Sequence, residues 1–358
     1  MKKICYLLSA PLLFMALQAF LARPELFSLN GSPIGGASGR HPANRPAEQW
    51  EAKRTRILAA MQTVMGPLPN AAKKVAPAFQ LLREESVGNI RRRLITYVSE
   101  KDDRVPAYLL MPQDLSGPAP AVLCLHQTTE TGKGEPAGVS GSANLHYALE
   151  LADRGYVTLA PDYPNFGDYD YDPYQHGYQS ATMKGVWNHI AAIDLLQSLS
   201  EVDPLRIGCI GHSLGGHNAL FVSAFDRRIK AVVSSCGFNS FFKYSGGDLT
   251  GWSHRGYMPR IAAVFDKDPA KMPFDFSDVL IAIAPRAVFI NAPLRDDNFE
   301  VSGVFDCVDA AKPVYTLFQA NDKLIMVNPD TGHDFPPEIR EAAYRFLDRE
   351  LKGKPAEP

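Results

Sequence analysis

Gly211-His212-Ser213-Leu214-Gly215 is the segment of this chain whose residue types and spacing describe an exposed nucleophile. Small residues two before and two after a serine let the backbone turn sharply out of a strand and into a helix. The hydroxyl then stands at the end of a sheet, beside the positive end of that helix. The flanks agree, because Arg206–Ile210 reads as a strand and Leu214–Ala224 as an amphipathic helix. A serine hydroxyl is a weak nucleophile at neutral pH and needs a base within hydrogen-bond reach. Of nine histidines, His333 follows the last strand-like run, Leu324–Val327, and Gly332 before it leaves room for the ring. His212 adjoins the serine and is expected to point away, while His189 and His217 fall on predicted helices and read as structural. A carboxylate to hold the imidazole belongs in the loop after Ala287–Asn291, where Asp296 and Asp297 stand together. Either could instead cap the next helix. Asp296 is favoured as the triad acid. The oxyanion of an acyl-transfer intermediate needs two N–H donors. Leu214 offers one and Thr128 the other, with Gln127 as second choice and His126 shaping that loop.

Elements able to position these residues alternate along most of the chain. Three strand-like segments, Ala78–Leu82, Arg92–Val98 and Ala107–Met111, follow one another without helices and predict an antiparallel start to a sheet. From Ala121–Leu125 onward, apolar strands alternate with the helical stretches 145–154, 184–199, 214–224, 301–318 and 338–351. That alternation predicts an α/β fold with a mostly parallel central sheet and helices on both faces. The expected organisation is a signal peptide at 1–22, a flexible linker at 23–47 and a catalytic domain at 48–354. Within that domain, 48–106 is an N-terminal extension and 238–284 an inserted cap.

The bulk numbers exclude other classes. The chain has 358 residues, a net charge of −2 and 46% hydrophobic residues, values of an ordinary packed protein. Arg91-Arg92-Arg93 is the nearest thing to a basic patch and reads as a solvated strand edge, so no nucleic-acid partner is expected. Lys2 and Lys3 before the uncharged apolar run 4–22 have the form of a secretory signal, which predicts a secreted or periplasmic protein. No stable membrane span is expected after its removal, although an uncleaved anchor is the competing reading. Cys5 falls in the signal, and Cys124, Cys209, Cys236 and Cys307 read as buried free thiols. No metal or cofactor is expected, since there is no H-E-x-x-H helix and no Gly-rich dinucleotide turn after a strand.

With these residues in place the chain resembles the α/β-hydrolases, in the branch of acetyl xylan esterases, dienelactone hydrolases and prolyl-oligopeptidase-type catalytic domains. The resemblance runs from about Ala107 to Leu351. It is carried by Val202-Asp203-Pro204-Leu205-Arg206-Ile207-Gly208 leading into the serine turn, by Ile283-Ala284-Pro285-Arg286, by Arg295-Asp296-Asp297-Asn298 and by Gly332-His333. It implies a Ser213–Asp296–His333 triad, an acyl-enzyme and an ester substrate, with Asp296 as the acid. The relatives carry His-Gly where this chain has His126-Gln127-Thr128, and no propeller domain precedes the core. A peptidase or amidase, and a silent binding protein with the same fold, are the competing readings. Tyr163, Tyr169, Tyr171, Tyr174 and Tyr178 cluster in one loop and could stack on sugar rings. Tyr163, Tyr169 and Trp252 are therefore candidate substrate-binding residues for a small-molecule or carbohydrate ester, although a Tyr-rich loop packing on the cap would look the same.

Overall fold

The computed structural model describes residues 45–353. The signal at 1–22 and the linker up to residue 44 lie outside the described residues. Helix α1 spans Arg45–Met65 and is followed by strands β1 (Phe79–Val87), β2 (Ile90–Glu100) and β3 (Asp103–Pro112). Then come β4 (Ala119–Leu125), α2 (Tyr147–Asp153), β5 (Val157–Pro161), α3 (Ala181–Ser198) and β6 (Val202–His212). The remainder is α4 (Leu214–Phe225), β7 (Ile229–Ser235), α5 (Arg260–Ala263), α6 (Phe276–Ile283), β8 (Ala287–Asn291), α7 (Val301–Leu317), β9 (Leu324–Val327) and α8 (Pro337–Lys352).

The strands form one nine-stranded sheet in the order β1-β2-β3-β5-β4-β6-β7-β8-β9. β1, β2, β3 and β5 pair antiparallel, and every other pairing is parallel. This is the mostly parallel α/β-hydrolase arrangement that the alternating pattern predicts. β4 shows why the parallel strands are apolar throughout. Its Ala121, Leu123 and Leu125 face one core layer, while Val122 and Cys124 face the other. Helices α1, α3, α4, α6 and α7 cover the first layer, and α2 and α8 the second. The order in which strands are added reverses at β4, since the strand after it lies on one side and β6 on the other. Such a switch point opens a crevice at the carboxyl ends of the strands, where the loops after β4, β6, β7, β8 and β9 converge.

The helix ends follow local rules. Ser180 caps α3 by accepting from the Met183 N–H at 2.9 Å, and Asp275 and Asp278 form a capping box on α6. α1 begins at Arg45, slightly before position 48 where the catalytic domain is expected to start, and the N-terminal extension is bonded to the body. Arg54 of α1 donates to the carbonyls of Ala282 and Ala224, satisfying buried last-turn carbonyls of α6 and α4. The region 238–284, expected as an inserted cap, is tied into the body. Its Phe238, Phe241, Trp252, Phe274 and Phe276 belong to the main core. The arginine triplet is also repositioned, because β2 is interior to the sheet. Arg92 is buried there, donating to Glu85 and to the Ala137 carbonyl. Cys124, Cys209, Cys236 and Cys307 are buried and free.

A buried charge cluster locks α3 to the antiparallel strands. Lys184 is fully buried, and its Nζ lies 2.7 Å from Glu100, 2.6 Å from Asp103 and 3.0 Å from the Ser99 hydroxyl. Tyr171 and Tyr178 donate to Glu100, and Tyr169 donates to Asp103. Removing the Lys184 cation would leave buried Asp103 without its ion-pair partner and Glu100 with only the half-exposed Lys73 at 3.2 Å, which costs about 3–5 kcal/mol. Lys184→Met is therefore expected to lower unfolding free energy by that amount in urea denaturation. A loss below about 1 kcal/mol would show that water reaches the cluster.

Candidate active site

β6 runs directly into a strained turn. Ser213 has φ 52° and ψ −116°, a region that costs a non-glycine residue on the order of 1–3 kcal/mol and that the surrounding structure must impose. Its N–H is held by the Ser235 carbonyl at 2.8 Å, and its own carbonyl accepts from Gly216 and His217 in the first turn of α4. The flanking glycines are required by close approach. A Cβ on Gly211 would lie 2.2 Å from the Gly215 carbonyl oxygen, and one on Gly215 would lie 1.9 Å from that of Leu125. The second contact shows that the start of α4 presses on the end of β4. The start of α4 and the loop that follows β4 therefore lie against one another. Ser213 is half-buried.

His333 lies in the loop after β9. Its Nδ1 is 2.9 Å and 3.0 Å from the two carboxylate oxygens of Asp296. An imidazole nitrogen facing a carboxylate carries the proton, so Nε2 keeps the lone pair. Asp296 also accepts from the Asn298 and Phe299 N–H groups, which builds its loop. Burial alone would raise its pKa. The His333 hydrogen bond and charge, with those two N–H donors, outweigh burial and hold the carboxyl below its ordinary value. Asp297 is exposed to solvent. The structure thus brings Asp296, and not Asp297, to His333. Around them, Asn144 binds the Asp334 carboxylate and Asn291 donates to the Asp334 carbonyl, so the histidine loop is anchored on both sides.

Several expectations are corrected. His212 does not point away from the site. Its ring packs edge-on against that of His333 at 4.9 Å between centroids, and its Nδ1 lies 2.9 Å from the Ser235 hydroxyl. His333 thereby sits against the residue that precedes Ser213. Gly332 is not sterically required, since an added Cβ would meet nothing nearer than 3.7 Å. Tyr169 is a core residue, with its hydroxyl committed to Asp103. Tyr163 backs the site rather than lining it: its hydroxyl reaches Thr182 and the Gly256 carbonyl, and it packs with Leu214. Trp252 is 3% exposed and wedged among His217, Phe276, Tyr257 and Phe299. These aromatic side chains are scaffold, because each is enclosed by protein. Tyr174, by contrast, does pack on the cap, donating to the Arg255 carbonyl. Thr128 is exposed, with its hydroxyl 3.2 Å from that of Tyr257.

His126 has the loop-shaping place expected of it, whereas Cys236 lies near the site with no pattern around it to set it apart from the other buried thiols. His126 has Nε2 accepting from the Tyr163 N–H at 2.9 Å, so its Nδ1–H donates to the Gln127 carbonyl at 2.6 Å. It sets the orientation of the peptide that follows. Cys236 stands at the carboxyl end of β7, with φ 46°, its sulfur 3.4 Å from the Asp334 carbonyl. Its position after a parallel strand was the available clue.

Burial makes three further histidines pH-sensitive. Desolvation, aided by the charge of His126 on His189 and of His333 on His212, lowers His189, His212 and His217 from 6.5 to about 3. The unfolded chain takes up these protons below pH 6.5 while the native protein resists. The stability is thus complete above pH 6.5 and is lost as pH falls toward 3. At pH 5 the cost is on the order of 2 kcal/mol for each ring. Tm is expected to drop clearly between pH 7.5 and pH 5, and a flat profile would contradict the burial of these rings.

The comparisons with known proteins agree with this architecture. A family model described as "Glucuronyl esterase, fungi" matches residues 97–319, a span containing Ser213 and Asp296 and ending before His333. The protein YtaP of Bacillus subtilis (strain 168) is 28% identical over 302 residues, covering 80% of this chain and 96% of that protein. The carbohydrate esterase MZ0003, from an unknown prokaryotic organism, is 26% identical over 211 residues, covering 54% of this chain and 48% of that one. Among solved structures, a glucuronoyl esterase from Solibacter usitatus superposes with a TM-score of 0.67 at 19% identity, covering 85% of this chain and 94% of that one. Acetyl xylan esterase 1 from Thermoanaerobacterium sp. JW/SL YS485 gives 0.55 at 18% identity, covering 84% and 93%. With its central match spanning most of the sheet and the nucleophile turn, the chain belongs to the glucuronyl esterase family of α/β-hydrolases.

Proposed function

We propose that this protein hydrolyses carbohydrate esters through a Ser213 nucleophile, a His333 base and an Asp296 orienter. The observation that carries the reading is the pairing of His333 Nδ1 with Asp296 at 2.9 and 3.0 Å. It leaves Nε2 as the acceptor, next to the strained serine turn. The Ser213 hydroxyl passes its proton to Nε2 as its oxygen bonds to the ester carbonyl carbon. Negative charge on the carbonyl oxygen is met by the Leu214 N–H and by that of Thr128, with Gln127 as the alternative. Collapse expels the alcohol, which takes the proton from Nε2. Water then repeats the sequence on the acyl-enzyme and releases the acid.

The family match favours an ester whose acid part is a uronate, and an acetyl ester on a polysaccharide is the second candidate. Ser213 is half-buried and the His333 side chain is 23% exposed, an open site suited to an ester carried on a polymer. A panel of alkyl glucuronates, acetylated xylan, p-nitrophenyl acetate and a peptide anilide tests this. Fastest turnover of the glucuronates supports the uronate reading, whereas acetate release from xylan alone, or anilide cleavage, overturns it. Labelling by a fluorophosphonate probe is expected in each hydrolytic case, and its absence would favour a silent binding protein. Export is part of the same proposal, supported by Lys2, Lys3 and the apolar run 4–22. The amino-terminal sequence of protein recovered outside the cytoplasm tests it. Among the described residues no helix is long and apolar enough to cross a membrane.

A further inference from the structure

Cys236, Asp296 and His333 offer a sulfur, a carboxylate oxygen and an imidazole nitrogen that all lie within 4.8 Å of one another. We infer that these three side chains form a binding site for a thiophilic divalent cation of the zinc class, and that the bound cation switches the hydrolase off. The donor set is one that zinc takes, and three protein ligands with an open fourth position make a workable tetrahedral site. With zinc–ligand distances of about 2.0–2.3 Å, neighbouring donors stand about 3.3–3.8 Å apart. The Nδ1 and carboxylate already meet at 2.9 Å, so the two must part slightly while the sulfur closes in by roughly 1 Å.

The sulfur is held where this needs it. Cys236 is buried, its left-handed backbone is fixed by its N–H to the Asn291 carbonyl at 2.9 Å, and Asn291 Nδ2 lies 3.8 Å from the sulfur. Ser235 Oγ at 3.9 Å and the Asp334 carbonyl at 3.4 Å complete its surroundings, and none of these neighbours is cationic. The partly exposed ring of His333 gives the cation a way in.

Binding has a defined chemical consequence. The thiol proton leaves to solvent and a sulfur–metal bond forms. The cation takes the Nδ1 lone pair, so the proton that Nδ1 carried moves to Nε2. The imidazole stays neutral, and one proton is released overall. Nε2–H cannot accept the proton of Ser213, and turnover stops. The inhibitory half of this inference rests on the triad reading above, whereas the binding half rests on geometry alone.

The experiment uses the full chain freed of metal. Added Co2+ is expected to give a thiolate-to-cobalt charge-transfer band that saturates at one ion per chain and disappears in Cys236→Ala and Cys236→Ser. Zn2+ is expected to inhibit p-nitrophenyl acetate hydrolysis, reversibly with a chelator. The half-inhibitory concentration should rise at least tenfold in either variant, each scored against its own metal-free rate. Absence of the band, or its persistence in both folded variants, overturns the site. A cysteine-dependent band without inhibition keeps a thiolate site at Cys236 and overturns the switch. A wild-type protein with no esterase activity sinks the triad reading, and the cobalt band still decides the site.

Discussion

Replacing Ser213 with alanine is expected to reduce kcat for ester hydrolysis by about 10^4- to 10^6-fold. The reason is chemical rather than structural. Alanine keeps the small Cβ that the turn accommodates, and the hydrogen bonds holding the turn run through backbone atoms of Ser213, Ser235, Gly216 and His217. The variant should therefore match wild type in Tm within a few degrees, and the strained φ of 52° should persist. What disappears is the oxygen that forms the acyl-enzyme. Residual catalysis over water, about 10^3- to 10^4-fold, is expected from the oxyanion donors and substrate positioning. Fluorophosphonate labelling should vanish with it. A Ser213→Ala protein retaining activity within about tenfold of wild type, after exclusion of a contaminating esterase, would require another nucleophile and end the proposed mechanism.

Asp296→Asn is expected to lower kcat by about 10^3- to 10^4-fold while Asp297→Asn stays within a few-fold of wild type. The asparagine is nearly isosteric, and its carbonyl oxygen can still accept from Asn298 and Phe299, so the loop should survive. Its amide, however, can donate to Nδ1 of His333. That stabilises the tautomer with the proton on Nε2, which cannot take one from Ser213. The carboxylate's second task, stabilising the imidazolium formed in the transition state, is lost as well. Steady-state kinetics of the two single variants decide the assignment. Equal losses would mean that the exposed Asp297 moves in to serve the histidine, and a large loss in Asp297→Asn alone would reverse the pair. The same hydrogen bonds that lower the pKa of Asp296 keep it ionised as pH falls below the ordinary carboxylate range. Their contribution to stability is thus present above the unfolded value and is lost only as pH drops through the folded one.

Much of this architecture could be read from the chain. β8 and β9 occupy the very residues that their short apolar runs delimit, Ala287–Asn291 and Leu324–Val327, and β8 does so because a strand buried on both faces admits almost no polar residue. The nucleophile turn was legible for a similar reason: its glycines answer clashes with residues only a few positions away or on the adjacent strand. The loops proved harder. Tyr169 and Trp252 are amphipathic residues whose type suits a sugar platform and a core equally well. Their burial depends on partners far along the chain, such as Asp103 for Tyr169 and Phe276 for Trp252. The place of His212 beside His333 is not readable from the strand, whose alternation says which face a side chain takes but not which loop arrives beside it.

Residue order and periodicity were thus enough to name the fold class, the serine turn, the histidine loop and a pair of candidate acids, since each is written in local pattern. Which aspartate reaches His333, and which thiol lies against that pair, emerged from strand order, as β7, β8 and β9 bring their carboxyl ends together. So did the closing of Lys184 on Glu100 across 84 residues of chain. Those contacts arise from packing between distant segments, which spacing along a sequence does not encode.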